Sequence, residues 1–234
     1  MFDAKKLLDQ FLGSDMPVAG GSLRDRAGQA VQLAKDNPLK AGALAAVLFG
    51  TGTGREVAGA ALKLGGLAAI AGLGYTAYKN YQAGQAPAAS QDAVLSTPEL
   101  LPPPADSGFA TDRVSSDFAL ILVRAMISAA RADGHIDDAE RSRIIDRLTV
   151  SGLSSDATAF LNDELSSPID LDAIVAAART EEQRVELYTA SRLAIEPKSR
   201  AERGYLDLLA GRLGLADALV DHIEATVSAA KVPA

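Results

Sequence analysis

Two acid-bearing turns punctuate the C-terminal half of the chain in the same way, and they limit its fold more than any other feature. The first is "ARADGHIDDAER", ending at Arg141; the second is "AIEPKSRAER", ending at Arg203. An ungapped slide sets Ala132 on Ala194 and Ala139-Glu140-Arg141 on Ala201-Glu202-Arg203. It also sets Gly152-Leu153 on Gly214-Leu215. In each copy a helix stops, a residue able to cap a helix follows, and a glutamate stands three positions further on. Asp137 with Glu140 and Ser199 with Glu202 have the spacing of a capping box, which satisfies the first free N–H groups of a helix. Glycine then ends the second helix, because it takes the left-handed conformation at low cost. The unit is a helical hairpin used twice, and two such hairpins pack as an all-α bundle.

The remaining periodicity agrees. "SSDFALILVRAMISAARA" predicts a largely buried helix from about Ser116 to a stop at Gly134, with Leu122, Met126 and Ala129 or Ala130 on one face and Phe118 a turn earlier. A helix from Asp137 to near Gly152 follows. Shorter helices are predicted at about 155–165 and 170–179. Thr180 and Gln183 cap "RVELYTASRLAI", Ser199 and Glu202 cap "RGYLDLLAGRLGL", and a last helix runs from about Ala216 to Ala230. No strand pattern competes.

Residues 1–83 differ in kind. They are rich in Gly and Ala and contain "VAGAALKLGGLAAIAGLGYTAY", residues 57–78, whose length approaches the roughly 20 residues of a transmembrane helix. Lys63 is its only charge. Tyr75, Tyr78 and Tyr81 cluster at one end, as an interfacial belt would, and Gly65, Gly66, Gly72 and Gly74 offer surfaces for close helix approach. The segment therefore reads as a candidate membrane span; the competing reading is a buried Gly/Ala helix. "AGALAAVLFG", from Ala41 to Gly50, is too short to span alone, and "MFDAKKLLDQFLG" is a short amphipathic helix without the features of a cleaved signal peptide. Residues 84–112, rich in Pro, Ser and Ala, read as a disordered linker. Residues 113–234 form the helical domain.

Charge is unevenly spread. Residues 1–90 balance to +3 and residues 91–234 to −10, giving the net −7. The acidic half argues against nucleic-acid binding. Basic residues ahead of the candidate span put the N-terminus in the cytoplasm by the positive-inside rule; one span or a hairpin would then decide the side of the C-terminal domain. There is no cysteine, so thiolate chemistry and cysteine zinc sites are excluded. No nucleophile elbow or P-loop is present; "GTGTG" at Gly50–Gly54 is followed by "REVAGAAL" and lacks the Lys-Ser/Thr pair. His135 sits in the first turn and reads as a solvated loop residue. His222, in the last helix, has no partner evident from spacing.

"AMISAARADGHIDDAERSRI" with "ASRLAIEPKSRAERGYLDLLAGRLGL" resembles the YebE-like bacterial inner-membrane protein family, whose C-terminal domain is similar to the TerB-like helical fold named for tellurite resistance. The Gly-rich stretch ending "GYTAYKNYQ" is similar to the same family's N-terminal segment. The resemblance implies membrane association and an all-α domain, and no known activity. It also implies that acidic residues of the two hairpins lie near each other as a candidate divalent-metal site. Carried over, these are Asp133, Asp137 and Glu140 from the first turn, with Glu196 and Glu202 from the second. Ile195 stands opposite Asp133, and Ser199 replaces Asp137. Carboxylates suit a hard cation such as Ca²⁺ or Mg²⁺; the competing reading is that the same groups only cap helices.

The expectation is thus a non-enzymatic, membrane-anchored interaction or sensing module at the bacterial inner membrane. It would contact membrane lipid and a protein partner or a second copy of itself. One alternative is divalent-metal binding in metal or envelope stress. Another is a carboxylate-dependent hydrolase, which requires a concave pocket lined by Asp133, Glu140 and Glu202.

Overall fold

The structure, a computed structural model, describes residues 5, 7, 8, 66–87, 102–132 and 155–230. Within them the chain is all-helical, with no strand. The helices are α1 (Gly66–Gln82), α2 (Ser116–Ala130), α3 (Ser155–Ser166), α4 (Leu171–Ala177), α5 (Glu181–Ala194), α6 (Arg200–Leu213) and α7 (Asp217–Ala230).

Local chemistry sets the ends of these helices. Ser115 Oγ accepts from Phe118 N at 3.1 Å and starts α2. Thr180 Oγ1 accepts from Gln183 N at 3.3 Å and starts α5, while the Gln183 carboxamide accepts from Arg179 N, one residue earlier than a full capping box requires. At α6 the box closes fully. Ser199 Oγ accepts from Glu202 N, and Glu202 Oε2 accepts from Ser199 N at 2.7 Å and Lys198 N at 2.9 Å. Gly214 ends α6 with φ 65°, donating to Gly211 O while Leu215 N donates to Ala210 O, the paired bonds of a Schellman motif. The helix predicted from Asp137 lies outside the described residues, as does the predicted stop at Gly134.

Helix α5 is the central element. Every residue from Val185 to Ala194 is buried, and α5 packs against α1, α2, α6 and α7. Its core positions mix small, hydroxyl and aliphatic side chains with two buried charged residues, Glu186 and Arg192. Leu122 and Met126 of α2, Leu206 and Leu209 of α6, and Leu219, Ile223 and Val227 of α7 complete the core. Each such side chain contributes about 1.5–3 kcal/mol by leaving water.

Helix α1 corrects the membrane reading. Its apolar residues Leu67, Ile70, Leu73 and Ala77 are buried in the same core as α5 and α7. Gly74 marks the tightest approach. A Cβ there would lie 3.3 Å from Val185 Cγ1 and 3.5 Å from both Phe109 Cε1 and Thr189 Oγ1. The small residues therefore let a helix of this bundle approach closely. The tyrosines are not an interfacial belt either. Tyr78 OH donates to Glu181 Oε2 at 2.9 Å, Tyr75 and Tyr78 flank the Phe109 ring, and Tyr81 meets His222 edge-on. The described part of α1 has 17 residues. No helix among the described residues is long and apolar enough to cross a membrane. The transmembrane span over 57–78, and the inner-membrane localisation built on it, are set aside; residues 57–65 of that stretch lie outside the described residues.

Part of the expected linker is folded. Residues 102–112 make successive turns, with Ser107 N bonded to Pro104 O, Ala110 N to Ser107 O and Arg113 N to Ala110 O. Phe109 is buried between Tyr75 and Tyr78. Pro/Ser/Ala composition conceals this single aromatic anchor. Leu7 and Leu8 are also buried in the core, and Lys5 Nζ donates to Thr111 O.

Candidate functional site

Of the carboxylates proposed for a metal, Asp133, Asp137 and Glu140 lie outside the described residues. The other two have local roles. Glu202 is buried and its Oε2 already accepts two backbone N–H groups. Glu196 is exposed and pairs with Lys198 Nζ at 2.8 Å. Among the described residues no group of three or more His, Asp or Glu side chains is arranged to hold a metal ion.

Two polar features lie in the core. The first joins α5 to α7. Arg192 Nε donates to Glu224 Oε2 at 2.6 Å, Nη1 to Ile195 O at 2.9 Å and Nη2 to Ser228 Oγ at 3.2 Å, while Tyr188 OH donates to Glu224 Oε1 at 2.9 Å. Burial, then the Glu224 carboxylate, raises the Tyr188 phenol well above its ordinary range. All three guanidinium nitrogens and both carboxylate oxygens have partners, so the cluster is an inter-helix clamp. The second feature is Glu186, 1 % exposed, whose Oε1 has no hydrogen-bond partner. Burial, with the neighbouring Glu182 carboxylate adding, pushes its carboxyl up to about 8. Thr189 Oγ1 is buried and unpartnered on the same helix.

An open feature among the described residues is a cleft of about 240 Å³ between α2 and the α3–α4 pair. Arg124, Ser128 and Arg131 line it at i, i+4 and i+7, the spacing of one helix face. Arg124 Nε donates to Glu164 Oε1 at 2.9 Å, and its guanidinium lies 5.5 Å from the Phe160 ring centroid. Arg131 is held differently. Its Nη1 donates to two main-chain carbonyls at the end of α3, Ser167 O at 2.8 Å and Glu164 O at 3.3 Å. These are acceptors at the negative end of a helix dipole, and among the described residues no carboxylate pairs with Arg131. Its Nε, and Ser128 Oγ, are buried without a hydrogen-bond partner. Behind Ser128, the buried Tyr205 hydroxyl faces the hydroxyls of Ser128 and Ser191 without a bond of standard geometry; burial raises its pKa. Ile121, Ile127, Pro168, Ile169 and Ile174 form the apolar wall. Asp170, at the rim, is committed to capping α4 through Ala173 N at 2.9 Å.

With this geometry in view, comparison with known proteins is decisive at the family level. Residues 34–227 match the model of a protein family of unknown function, DUF533. The chain belongs to the DUF533 family. The match runs from before α1 through most of α7, so helices on both sides of the Pro-rich stretch fall within one DUF533 unit. A similar protein is the uncharacterized protein in the ampR 5′ region of Yersinia enterocolitica, 31 % identical over 103 residues, covering 44 % of this chain and 74 % of that protein. No solved structure matches the chain.

Sequence reading missed the cleft of this DUF533 chain. "LVRAMISAAR" was legible as a buried helix, yet the seven-residue spacing of Arg124 and Arg131 within it was a usable signal. Glu186 had a signal as well, since stepping back from Leu193 through Ala190 along the apolar stripe lands on it.

Proposed function

We propose that this DUF533 chain is a non-enzymatic helical binding module whose ligand-facing feature is the cleft between α2 and the α3–α4 pair. The single observation carrying this reading is the cleft itself, where Arg131 is fixed by two main-chain carbonyls beside an aliphatic wall. Elsewhere the buried arginine, Arg192, is fully engaged, and Glu202 serves a capping box. Arginine donors over an aliphatic wall suit recognition, since a guanidinium stays protonated and transfers no proton at ordinary pH. The reading takes the bundle as TerB-like and related to YebE-like proteins; the helix capped by Ser199 and Gly214 supports it.

The test is amide NMR of the full chain against small neutral, cationic and anionic probe compounds. Saturable shifts should concentrate at residues 127–131 and 169–174. Probes that leave these amides unmoved, or that act only elsewhere, would reject the cleft as the binding feature.

A further inference from the structure

We infer that the N-terminal segment carrying Lys5, Leu7 and Leu8 is an exchangeable docking element, and that the site it fills beside Thr111 accepts the same segment from a second copy of this chain. None of these residues lines the cleft, so the inference does not rest on the reading above.

The contact is built on two adjacent leucines. Residues 5, 7 and 8 are helical, and Leu7 and Leu8 are 2 % and 0 % exposed. Neighbours on a helix point about 100° apart, so a helix resting on a flat surface buries one and leaves the other at its edge. Burying both requires cover on two sides. The pair belongs to the same core as Leu67, Leu73, Phe109, Val114 and Phe118. Lys5, half-buried, donates from Nζ to Thr111 O at 3.3 Å, across 106 positions of sequence. Thr111 lies in the turns that run from Pro104 to Arg113, where Phe109 and Ala110 are buried. The setting is acidic. Asp106 and Asp112 lie on the same turns, and Glu182 packs against Gly108, where an added Cβ would fall 2.6 Å from its Cδ. A lysine has the sign that suits this neighbourhood.

Two observations set this segment apart from the helices it packs on. The family match covers residues 34–227, so α1 to α7 all begin inside it and Lys5, Leu7 and Leu8 lie outside it. The DUF533 unit thus builds the site, and the filler comes from elsewhere in the chain. Residues 9–65 then separate Leu8 from Gly66. The entropy of closing a connection changes only with the logarithm of its length. The chain's own segment therefore competes with another copy's by effective concentration, and not by better contacts. A second copy brings the identical leucine pair and lysine, so exchange gives up no interaction. A partner of other sequence would have to reproduce both.

The probe is a fluorescent peptide of residues 1–13, MFDAKKLLDQFLG. It is titrated into the native full chain and into the full chain carrying Leu7→Asp and Leu8→Asp, whose own segment cannot dock; circular dichroism verifies that this variant is folded. The variant is expected to bind the peptide at least about tenfold more tightly than the native chain, where only the vacated fraction of sites is open. A peptide carrying Lys5→Glu is expected to bind more weakly, and one with both leucine changes not at all. In the isotope-labelled variant the shifted amides should centre on residues 109–114. Unlabelled native chain in place of the peptide should move the same amides, which identifies a second copy as donor. Where the double variant does not fold, the native chain supplies the test by itself. Excess peptide should release its own Leu7 and Leu8, seen as methyl signals moving to solvent-exposed positions while the amides of α5 and α7 stay in place. Equal peptide binding by native chain and variant, or none by either, overturns the docking site. Leucines that are released only when the whole bundle unfolds overturn exchange, and so does a native chain that fails to move the amides the peptide moves.

Discussion

Replacing Glu186 by glutamine should change how stability depends on pH more than it changes the fold. Glu186 is 1 % exposed on the central helix, and its Oε1 has no hydrogen-bond partner. Burial, then repulsion from Glu182, raises its carboxyl from 4.5 to about 8. The folded chain therefore holds a proton that the unfolded chain releases above pH 4.5. Where the native state binds more protons, stability falls as pH rises. The contribution is fully present below pH 4.5 and is lost progressively until about pH 8. At about 1.4 kcal/mol per pH unit, the loss is on the order of 3 kcal/mol at pH 7 and 5 kcal/mol above pH 8. Glutamine has the shape of the protonated acid and no proton to lose. Urea unfolding followed by far-ultraviolet circular dichroism from pH 5 to 9 measures this directly. The two proteins should be nearly equal at pH 5, and the glutamine variant should be the more stable by several kcal/mol at pH 8.5. Other carboxylates contribute to both curves alike, so their difference isolates Glu186. Parallel curves across the range would refute the reasoning, because an ionised Glu186 would then be accommodated without cost.

Other substitutions probe the rest of the bundle. Gly74→Val places branched carbon where one Cβ already lies 3.3 Å from Val185 Cγ1, and should cost about 1–3 kcal/mol in thermal or urea unfolding. Gly74→Ala should be milder, since about 0.5–1 kcal/mol of helix propensity offsets the contact. Ser199→Ala removes the hydroxyl that accepts from Glu202 N and should cost about 1 kcal/mol. If Glu202 serves only the cap, Glu202→Ala should give a similar loss in melting, equal with Ca²⁺, with Mg²⁺ or with chelator; a loss that grows with metal would restore the metal reading. Arg192→Met removes the donors to Glu224 Oε2, Ile195 O and Ser228 Oγ, and should cost about 1.5–3 kcal/mol, the range for hydrogen bonds to charged groups. Phe109→Ala should cost about 3–5 kcal/mol and accelerate amide exchange along α1, because the ring is packed between Tyr75 and Tyr78.

What could be read from the sequence was whatever is local. The Ser199–Glu202 box, the Thr180 cap and the Gly214 stop each depend on side chains within a few residues, so their spacing is visible in the string. The helices around them follow to within a few residues of the expected ends. The cleft was hidden because it depends on where the end of α3 comes to rest. Nothing in "NDELSSP" announces that the carbonyls of Glu164 and Ser167 will be met by a side chain from α2, more than thirty positions earlier in the chain.

Helix α1 shows why a Gly/Ala stripe misleads. Small residues let two helices approach closely, and that geometry is as useful inside a bundle as inside a bilayer. The distinction lies in what surrounds the helix. A membrane span is apolar on every side, whereas α1 needs apolar contacts only where it meets α5, α7 and Phe109. Its remaining polar positions record this. Lys79, Asn80 and Gln82 fall within its last turn, Lys79 and Gln82 are exposed, and Tyr78 extends its hydroxyl to Glu181 on a neighbouring helix. Gly74 then belongs to the same design as Val185 and Thr189, and a larger residue there tests one helix interface of the folded chain.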